Sequence, residues 1–318
     1  MRLRGFDFGT VFNASGARSF CGEGYWFHSL ARPFGLGYEG ATLVSKTTTL
    51  LPRAGNMPLG KNSQPQALLP NCIVVKPLKG VVLNAVGLSG PGVTELVGRW
   101  RHKPPVGPFV VSIMSVAPTV EARLDEIRAL VAVLGLLVDD VRKQVQNRVL
   151  DRIGPDGRIY NAPKLSEEEE RQLPLVALQV NLSCPNAGLD PTHLAHEATD
   201  VLDVVQKLNI PTMVKINALV APEAACKMAD HPACDAIVMG NTIPWGQLPD
   251  RIDWEGLFGS STSPLVGYGG GGILSKGDAD LVLAAGADAI ELGSVSILRP
   301  WRVQGIIRHV TRAQIGRA

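Results

Sequence analysis

Short apolar runs alternate with segments of helical periodicity along most of the chain. Each run is rich in β-branched residues and ends in polar residues or glycine, which is typical of buried strands. The predicted strands are Thr10–Ala14, Ala41–Lys46, Val81–Val86, Phe109–Ile113, Leu175–Leu182, Thr212–Ile216, Ala236–Met239, Pro264–Gly267 and Ala289–Leu292. The predicted helices cover 90–101, 120–150, 191–208, 222–230, 276–285 and 299–313. Apolar strands that alternate with helices imply a parallel sheet covered on both faces.

This alternation predicts an α/β fold, a (β/α)8 TIM barrel that forms a single domain over residues 1–318. The run Val81–Val86 is one strand more than such a barrel needs, and it lies within a long connection rich in proline and glycine, 47–108. Because long loops in compact domains are usually functional, we expect this connection to cover the substrate side of the site. The polar stretch 139–174 predicts a surface insertion before the strand that carries Asn181.

The composition is that of a globular protein and limits the classes of partner. Hydrophobic residues make up 45% of the chain, charged residues 19%, and the formal net charge is +2. This balance gives no reason to expect nucleic acid or an acidic membrane as a partner. The cysteines are scattered without CxxC spacing, which disfavours a disulfide framework and a metal centre. Since no apolar run suits a signal peptide or a membrane anchor, we expect a cytoplasmic protein that acts on a small molecule.

The active sites of such barrels lie at the C-terminal ends of the strands. Those ends carry amides, lysines, hydroxyls and glycines, with almost no carboxylates. This set suits an anionic ligand with many hydrogen-bonding groups better than a metal or a pair of catalytic acids. The candidate positions are Asn13–Gly16, Lys46, Ser112, 181–184, Lys215, Asn217, Asn241, Thr242, Gly269–Gly272, Gly293 and Ser294.

Two glycine-rich strand ends predict a phosphate site. The segments 267–273 and Leu292–Ser294 follow the last two predicted strands. Glycines let backbone N–H groups approach a phosphate, and the last two strands of barrels frequently bind one. Tight turns between strand and helix, without a ligand, are the alternative explanation.

Three strand-end side chains are candidates for the chemistry. Lys46 and Lys215 end apolar strands on opposite sides of the predicted barrel, where a buried ammonium needs an anionic partner such as a reduced flavin. A single lysine of this kind is more often a surface residue. Cys184 follows the fifth predicted strand, and this position favours a reactive thiol, whereas the other cysteines are expected to be small buried residues.

The segment 181–186, Asn-Leu-Ser-Cys-Pro-Asn, heads a series of motifs that match one known family in order along nearly the whole chain. The other members are Asn13–Gly16, Ser45–Thr49, Pro52–Asn56, Asn84–Leu88, Val214–Lys215, Gly240–Thr242, Gly270–Ile273 and Leu292–Ser294. The series resembles the soluble, class 1 dihydroorotate dehydrogenases, whose catalytic base is a cysteine. The resemblance implies bound FMN and oxidation of dihydroorotate to orotate in pyrimidine biosynthesis.

The resemblance also implies a role for each matched residue. Cys184 would be the base that removes the C5 proton of dihydroorotate while hydride passes from C6 to flavin N5. Lys215 would face the N1 and C2 edge of the flavin. The residues implied to bind FMN are Ala14, Gly16, Lys46, Thr47, Ser112, Asn181, Lys215, Gly240, Gly271, Gly272, Gly293 and Ser294, the last four at its phosphate. Those implied to bind dihydroorotate are Lys46, Asn84, Gly87, Leu88, Asn181, Asn186, Asn241 and Thr242.

One departure from the family pattern keeps two alternatives open. The stretch 243–263 lacks the family's usual Gly-Gly-x-Ser-Gly segment, which predicts a shortened or irregular sixth β/α unit. A degenerate barrel that binds FMN or a pyrimidine without turnover would fit this shortening. A flavin oxidoreductase of another dihydropyrimidine would share the cysteine segment, although the loop at Asn84 favours dihydroorotate. Fumarate, NAD through an electron-transfer partner subunit, and other acceptors all stay open, and the resemblance suggests a homodimer.

Overall fold

The computed structural model describes residues 1–150, 175–182, 197–243, 246–247 and 272–315. The strands are β1 (Arg2–Leu3), β2 (Phe6–Asp7), β3 (Val11–Asn13), β4 (Leu43–Val44), β5 (Ile73–Lys76), β6 (Val81–Asn84), β7 (Phe109–Ile113), β8 (Val176–Asn181), β9 (Thr212–Ile216), β10 (Ala236–Met239) and β11 (Ile290–Leu292). The α-helices are α1 (Trp26–Ala31), α2 (Val93–His102), α3 (Val120–Leu150), α4 (Ala198–Val205), α5 (Pro222–Ala229), α6 (Lys276–Ala284), α7 (Val295–Leu298) and α8 (Val303–Ile315).

The core of the fold is a parallel sheet. Five strands pair in the order β10-β9-β8-β7-β4. β11 and β3 form a second parallel ladder, and a parallel bridge between Phe12 and Thr42 joins it to the segment that leads into β4. The prediction of an α/β fold with a parallel sheet is therefore confirmed. The predicted strand Pro264–Gly267, which would close a barrel between β10 and β11, lies outside the described residues, as does most of 243–263.

Side chains of each central strand alternate between two environments. In β8, Leu178 and Val180 pack against the helices in the largest apolar cluster, whereas Ala177 belongs to a second cluster on the opposite face of the sheet. Because strand side chains alternate with a period of two, Gln179 and Asn181 share the face of Ala177. This register directs polar side chains of an otherwise apolar strand toward the site.

An N-terminal hairpin, β1 with β2, covers the end of the sheet at which the parallel strands begin. Leu3 in β1 and Phe8, which follows β2, pack into the second apolar cluster together with Val44. Arg4 Nε donates to both carboxylate oxygens of Asp235 at 3.0 Å, directly before β10. The sequence patterns did not predict this hairpin.

The two long connections behave partly as expected. The extra strand predicted at Val81–Val86 is confirmed as β6, which pairs antiparallel with β5. Helix α3 continues through the first part of the predicted insertion 139–174, and Val141 packs in the largest apolar cluster. The remainder of that insertion, 151–174, lies outside the described residues. Among the described helices, none combines the length and apolar character needed to cross a membrane.

Candidate active site

A cavity of about 700 Å³ opens where the parallel strands end. It gathers predicted site residues from positions far apart in the chain. Its volume falls within the range of pockets that hold cofactors and small substrates. The predicted residues that line it are Ala14, Gly16, Lys46, Thr47, Asn84, Leu88, Asn181, Lys215, Gly240, Asn241, Thr242, Gly293 and Ser294.

Of the residues implied to bind FMN or dihydroorotate, three are described but lie outside the cavity wall: Ser112, Gly87 and Gly272. Ser112 is buried behind the wall, where its hydroxyl lies 2.9 Å from the hydroxyl of Thr47. Gly87 has a φ of 72° and packs against the backbone of Gly55, so it shapes the loop that follows β6. The predictions for Cys184, Asn186 and Gly271 concern positions outside the described residues.

A hydrogen-bonded network links the ends of four strands, β10, β8, β4 and β3. Asn241 Nδ2 donates to Asn181 Oδ1 at 2.6 Å, and Asn181 Nδ2 donates to Thr47 Oγ1 at 3.2 Å. The hydroxyl of Ser15 lies 2.9 Å from the same Thr47 oxygen. Because buried amides and hydroxyls are costly without partners, these bonds fix the orientation of each side chain in the cavity wall.

Lys215 has an anionic partner within the protein. Its Nζ lies 2.9 Å from Glu291 Oε2, and Gln179 Nε2 donates to Glu291 Oε1 at 2.7 Å. The side chains of Lys215 and Glu291 are only 6% and 14% exposed. Glu291 is the middle residue of β11, so it was not among the residues predicted at the strand ends. A detectable signal existed, since a glutamate inside the apolar strand Ile290–Leu292 needs a buried partner.

Lys46 ties the end of β4 to the loop after β6. Its Nζ donates to the carbonyl oxygen of Ser89 and lies 5.2 Å from the centre of the Phe20 ring. Both contacts suit a buried ammonium, the second as a cation–π interaction. Gly16, whose φ is 87°, packs beside the aliphatic part of this lysine. Lys46 thus holds the loop that follows Asn84 against the cavity.

The outer part of the cavity is apolar. The sequence did not predict this wall, because helix α1 is short and has no clear hydrophobic periodicity. Tyr25 precedes this helix, and its hydroxyl donates to the carbonyl oxygen of Gly16 at 2.7 Å. Burial raises the pKa of Tyr25, so the phenol stays a donor. The apolar wall consists of Trp26, Phe27, Leu30, Phe34, Leu68, Leu69, Pro70, Val75, Ile297 and Trp301.

The wall residues fit an anionic, planar cofactor with many hydrogen-bonding groups. Two ammonium groups, Lys46 and Lys215, reach the cavity together with side-chain amides. A Cβ added to Gly293 would lie 3.1 Å from the Cβ of Ala14, so a side chain there would push the ends of β11 and β3 slightly apart. This chemistry matches a flavin nucleotide, whose ring carries carbonyl and nitrogen acceptors.

No protein-family model matches the chain. Several curated relatives are similar to it over most of its length. The chain is 27% identical to the dihydroorotate dehydrogenase B (NAD+) catalytic subunit of Desulforudis audaxviator, covering 91% of this chain and 83% of the relative. It is 26% identical to the subunit of that name from Endomicrobium trichonymphae, covering 86% and 83%. It is 25% identical to dihydroorotate dehydrogenase A (fumarate) of Lacticaseibacillus paracasei, covering 99% and 98%.

The resemblance to dihydroorotate dehydrogenases is confirmed. The similarity to the fumarate-type relative extends over nearly the full length of both chains, so it includes every strand end that contributes to the cavity. The NAD-type and fumarate-type relatives match at almost equal identity. The comparisons thus support the family resemblance without selecting an electron acceptor.

Proposed function

We propose that this protein is an FMN-dependent dihydroorotate dehydrogenase that oxidises dihydroorotate to orotate in pyrimidine biosynthesis. One observation carries the proposal: most of the residues expected to bind FMN and substrate, taken from separate motifs, line one cavity. The names of the curated relatives support the same reaction. The proposed fold is the complete (β/α)8 barrel, with 264–267 as the closing strand, and the proposed compartment is the cytoplasm.

Dihydroorotate is proposed to bind on the polar side of the cavity. Asn181 and Asn241 would hydrogen-bond the pyrimidine ring, since their mutual bond already fixes both amides. Lys46 would lie beside the substrate carboxylate and supply its positive charge. The remaining proposed contacts are Asn84, Gly87, Leu88, Asn186 and Thr242.

FMN is proposed to lie across the strand ends. When bound, it would supply the two-electron acceptor for the hydride that leaves C6 of the substrate. Lys215 would hold the N1 and C2 edge of the ring, and Ser112 would act from behind the wall by orienting Thr47. The proposed phosphate contacts are Gly271, Gly272, Gly293 and Ser294, with Ala14, Gly16 and Gly240 close to the ring.

Cys184 is proposed as the base that takes the C5 proton. A thiolate is a sufficiently strong base near neutral pH, provided that it lies within hydrogen-bond reach of that proton. Its place directly after β8 would bring it to the same strand end as Asn181. The proton would leave C5 as the hydride leaves C6, so that the ring double bond of orotate forms.

A partner subunit for reoxidation is also proposed, because the type B relatives are named catalytic subunits. The described cysteines occur singly along the chain and offer no iron–sulfur motif of their own. NAD reduction would therefore require a second protein. A homodimer of this chain is the proposed assembly.

The substrate is tested by steady-state assays on the FMN-loaded protein with fumarate or an artificial dye as acceptor. We expect orotate formation from dihydroorotate and a kcat/KM for dihydrouracil lower by at least about tenfold. Dihydrouracil lacks the carboxylate, and a charged hydrogen bond contributes on the order of 1.5–3 kcal/mol. A preference for dihydrouracil would support the alternative of an oxidoreductase that acts on another dihydropyrimidine. FMN binding without turnover of either compound would support the alternative of a degenerate barrel.

A further inference from the structure

A buried charged triad lies behind the proposed flavin site. Glu291 on β11 accepts a hydrogen bond from Gln179 on β8 at 2.7 Å and pairs with Lys215 on β9 at 2.9 Å. Gln179 is fully buried, and its own side-chain oxygen has no hydrogen-bond partner among the described residues. The three side chains come from separate strands and meet on the face of the sheet that leads to the cavity. A fold stabilised by apolar packing alone does not require such a group.

We propose that Glu291 is a positioning residue that sets the redox potential of the bound flavin through Lys215. The inference rests on the proposed function, in which Lys215 faces the N1 and C2 edge of FMN. Lys215 lines the cavity and also contacts Glu291, so its ammonium group is shared between a fixed internal carboxylate and the cavity. The carboxylate therefore determines how much positive charge the flavin experiences.

The direction of the effect follows from electrostatics. Two-electron reduction of a flavin places negative charge near N1, which a facing ammonium stabilises. A carboxylate 2.9 Å from that ammonium opposes this stabilisation, and the opposition is strong because both groups are shielded from water. Removal of the carboxylate charge should raise the midpoint potential of the flavin.

Gln179 weakens the interaction between Glu291 and Lys215. Its amide donates to the second oxygen of Glu291, so the carboxylate is shared between a neutral donor and the ammonium. Replacement of Gln179 by methionine keeps the size of the side chain and removes this donor. The carboxylate would then interact with Lys215 more strongly, and the midpoint potential should fall. The fold should tolerate the change, because Glu291 keeps its ion pair with Lys215 and the side-chain oxygen of Gln179 has no partner among the described residues.

The test is an anaerobic redox titration of the FMN-loaded full-length protein, followed by flavin absorbance. We expect Glu291→Gln to bind reduced FMN about tenfold more tightly relative to oxidised FMN, a shift of about 30 mV to higher potential for a two-electron couple. Glu291→Asp keeps the charge and should shift the potential much less. Glu39→Gln removes the same charge from an exposed side chain and should leave the potential unchanged.

Each outcome decides the inference. If Glu291→Gln loads FMN but keeps the wild-type potential or lowers it, Glu291 has a structural role only and the inference is overturned. If that variant does not fold, Gln179→Met decides, since an unchanged or raised potential would overturn the inference in the same way. A wild-type protein that loads FMN and is reduced by dihydroorotate upholds the proposed function whatever the variants do. A wild-type protein that binds no flavin would overturn both.

Discussion

His28 lies buried next to the site, with its ring between two backbone groups. Tyr25 N donates to His28 Nδ1 at 3.2 Å, so Nε2 carries the proton that faces the carbonyl oxygen of Ser296 at 3.3 Å. Burial lowers the pKa of His28 to about 4, an effect that the hydrogen bond to Ser296 partly opposes and that Arg18 and Arg32 reinforce. The ring is therefore a neutral structural group in the folded protein at neutral pH.

This environment predicts a pH-dependent loss of stability. In the unfolded chain His28 binds a proton below pH ~6.5, whereas the folded protein does not do so until about pH 4. The free energy of unfolding should therefore fall as the pH drops through this window, by about 3 kcal/mol from this residue. Urea unfolding of wild type and His28→Gln at pH 7 and pH 4 measures the contribution. Equal losses in the two proteins would refute it.

Cys184 gives a second prediction for a single residue. Cys184→Ser should slow flavin reduction by dihydroorotate on the order of 100-fold at pH 7, because a hydroxyl is a much weaker base than a thiolate and general bases contribute about that factor or more. Rapid-mixing absorbance on the FMN-loaded proteins measures the rate. Cys226→Ser changes an exposed thiol and is the matched control. A Cys184→Ser protein that is reduced at the wild-type rate would exclude the thiol as the base.

Among the secondary-structure elements, the strands of the parallel sheet could be predicted, whereas some short elements outside it could not. The fully buried strands Phe109–Ile113 and Thr212–Ile216 have the predicted bounds, because strands covered on both faces consist of continuous apolar runs. The partly exposed strand Ala236–Met239 also has the predicted bounds. Helix α1 and strand β5 were missed. They depend on tertiary contacts, such as the hydrogen bond from Trp26 Nε1 to the carbonyl oxygen of Leu68 at 3.0 Å, which no local pattern reveals.

The loop that follows Asn84 depends on a glycine in the preceding connection. Gly55 has a φ of 53°, and a Cβ there would lie 2.5 Å from the carbonyl oxygen of Val86 and would also clash with the Ser89 hydroxyl. Gly55→Ala should therefore displace this loop, weaken dihydroorotate binding and destabilise the fold by about 1–3 kcal/mol. Thermal unfolding and the KM for dihydroorotate measure the two effects.

A glycine in helix α2 provides the control for this prediction. No described atom lies within 4 Å of a Cβ added to Gly98. Because glycine in a helix interior costs roughly 0.5–1 kcal/mol relative to alanine, Gly98→Ala should stabilise the protein slightly and leave the KM unchanged. If both alanine variants behaved alike, close packing at Gly55 would not shape the loop.

At the scale of the whole molecule, the parallel direction of the strands made most of the site predictable. Once parallel strands are assumed, polar residues at their C-terminal ends must meet, and the cavity does gather Lys46, Asn181 and Lys215. The partner of Lys215 was not predicted, because Glu291 lies within a strand. The sequence alone does not show that the side chains of this strand and of β9 meet. The apolar wall was not predicted either, because it brings helix α1 together with strand β5, which is distant from it in sequence.

The proposed function requires that the cavity holds FMN and that dihydroorotate reduces it. Anaerobic addition of dihydroorotate to the FMN-loaded protein tests this requirement without any assumption about the electron acceptor. We expect the absorbance of the oxidised flavin to bleach, with one orotate formed per flavin. Bound FMN whose absorbance does not change when dihydroorotate is added in excess would contradict the proposed function.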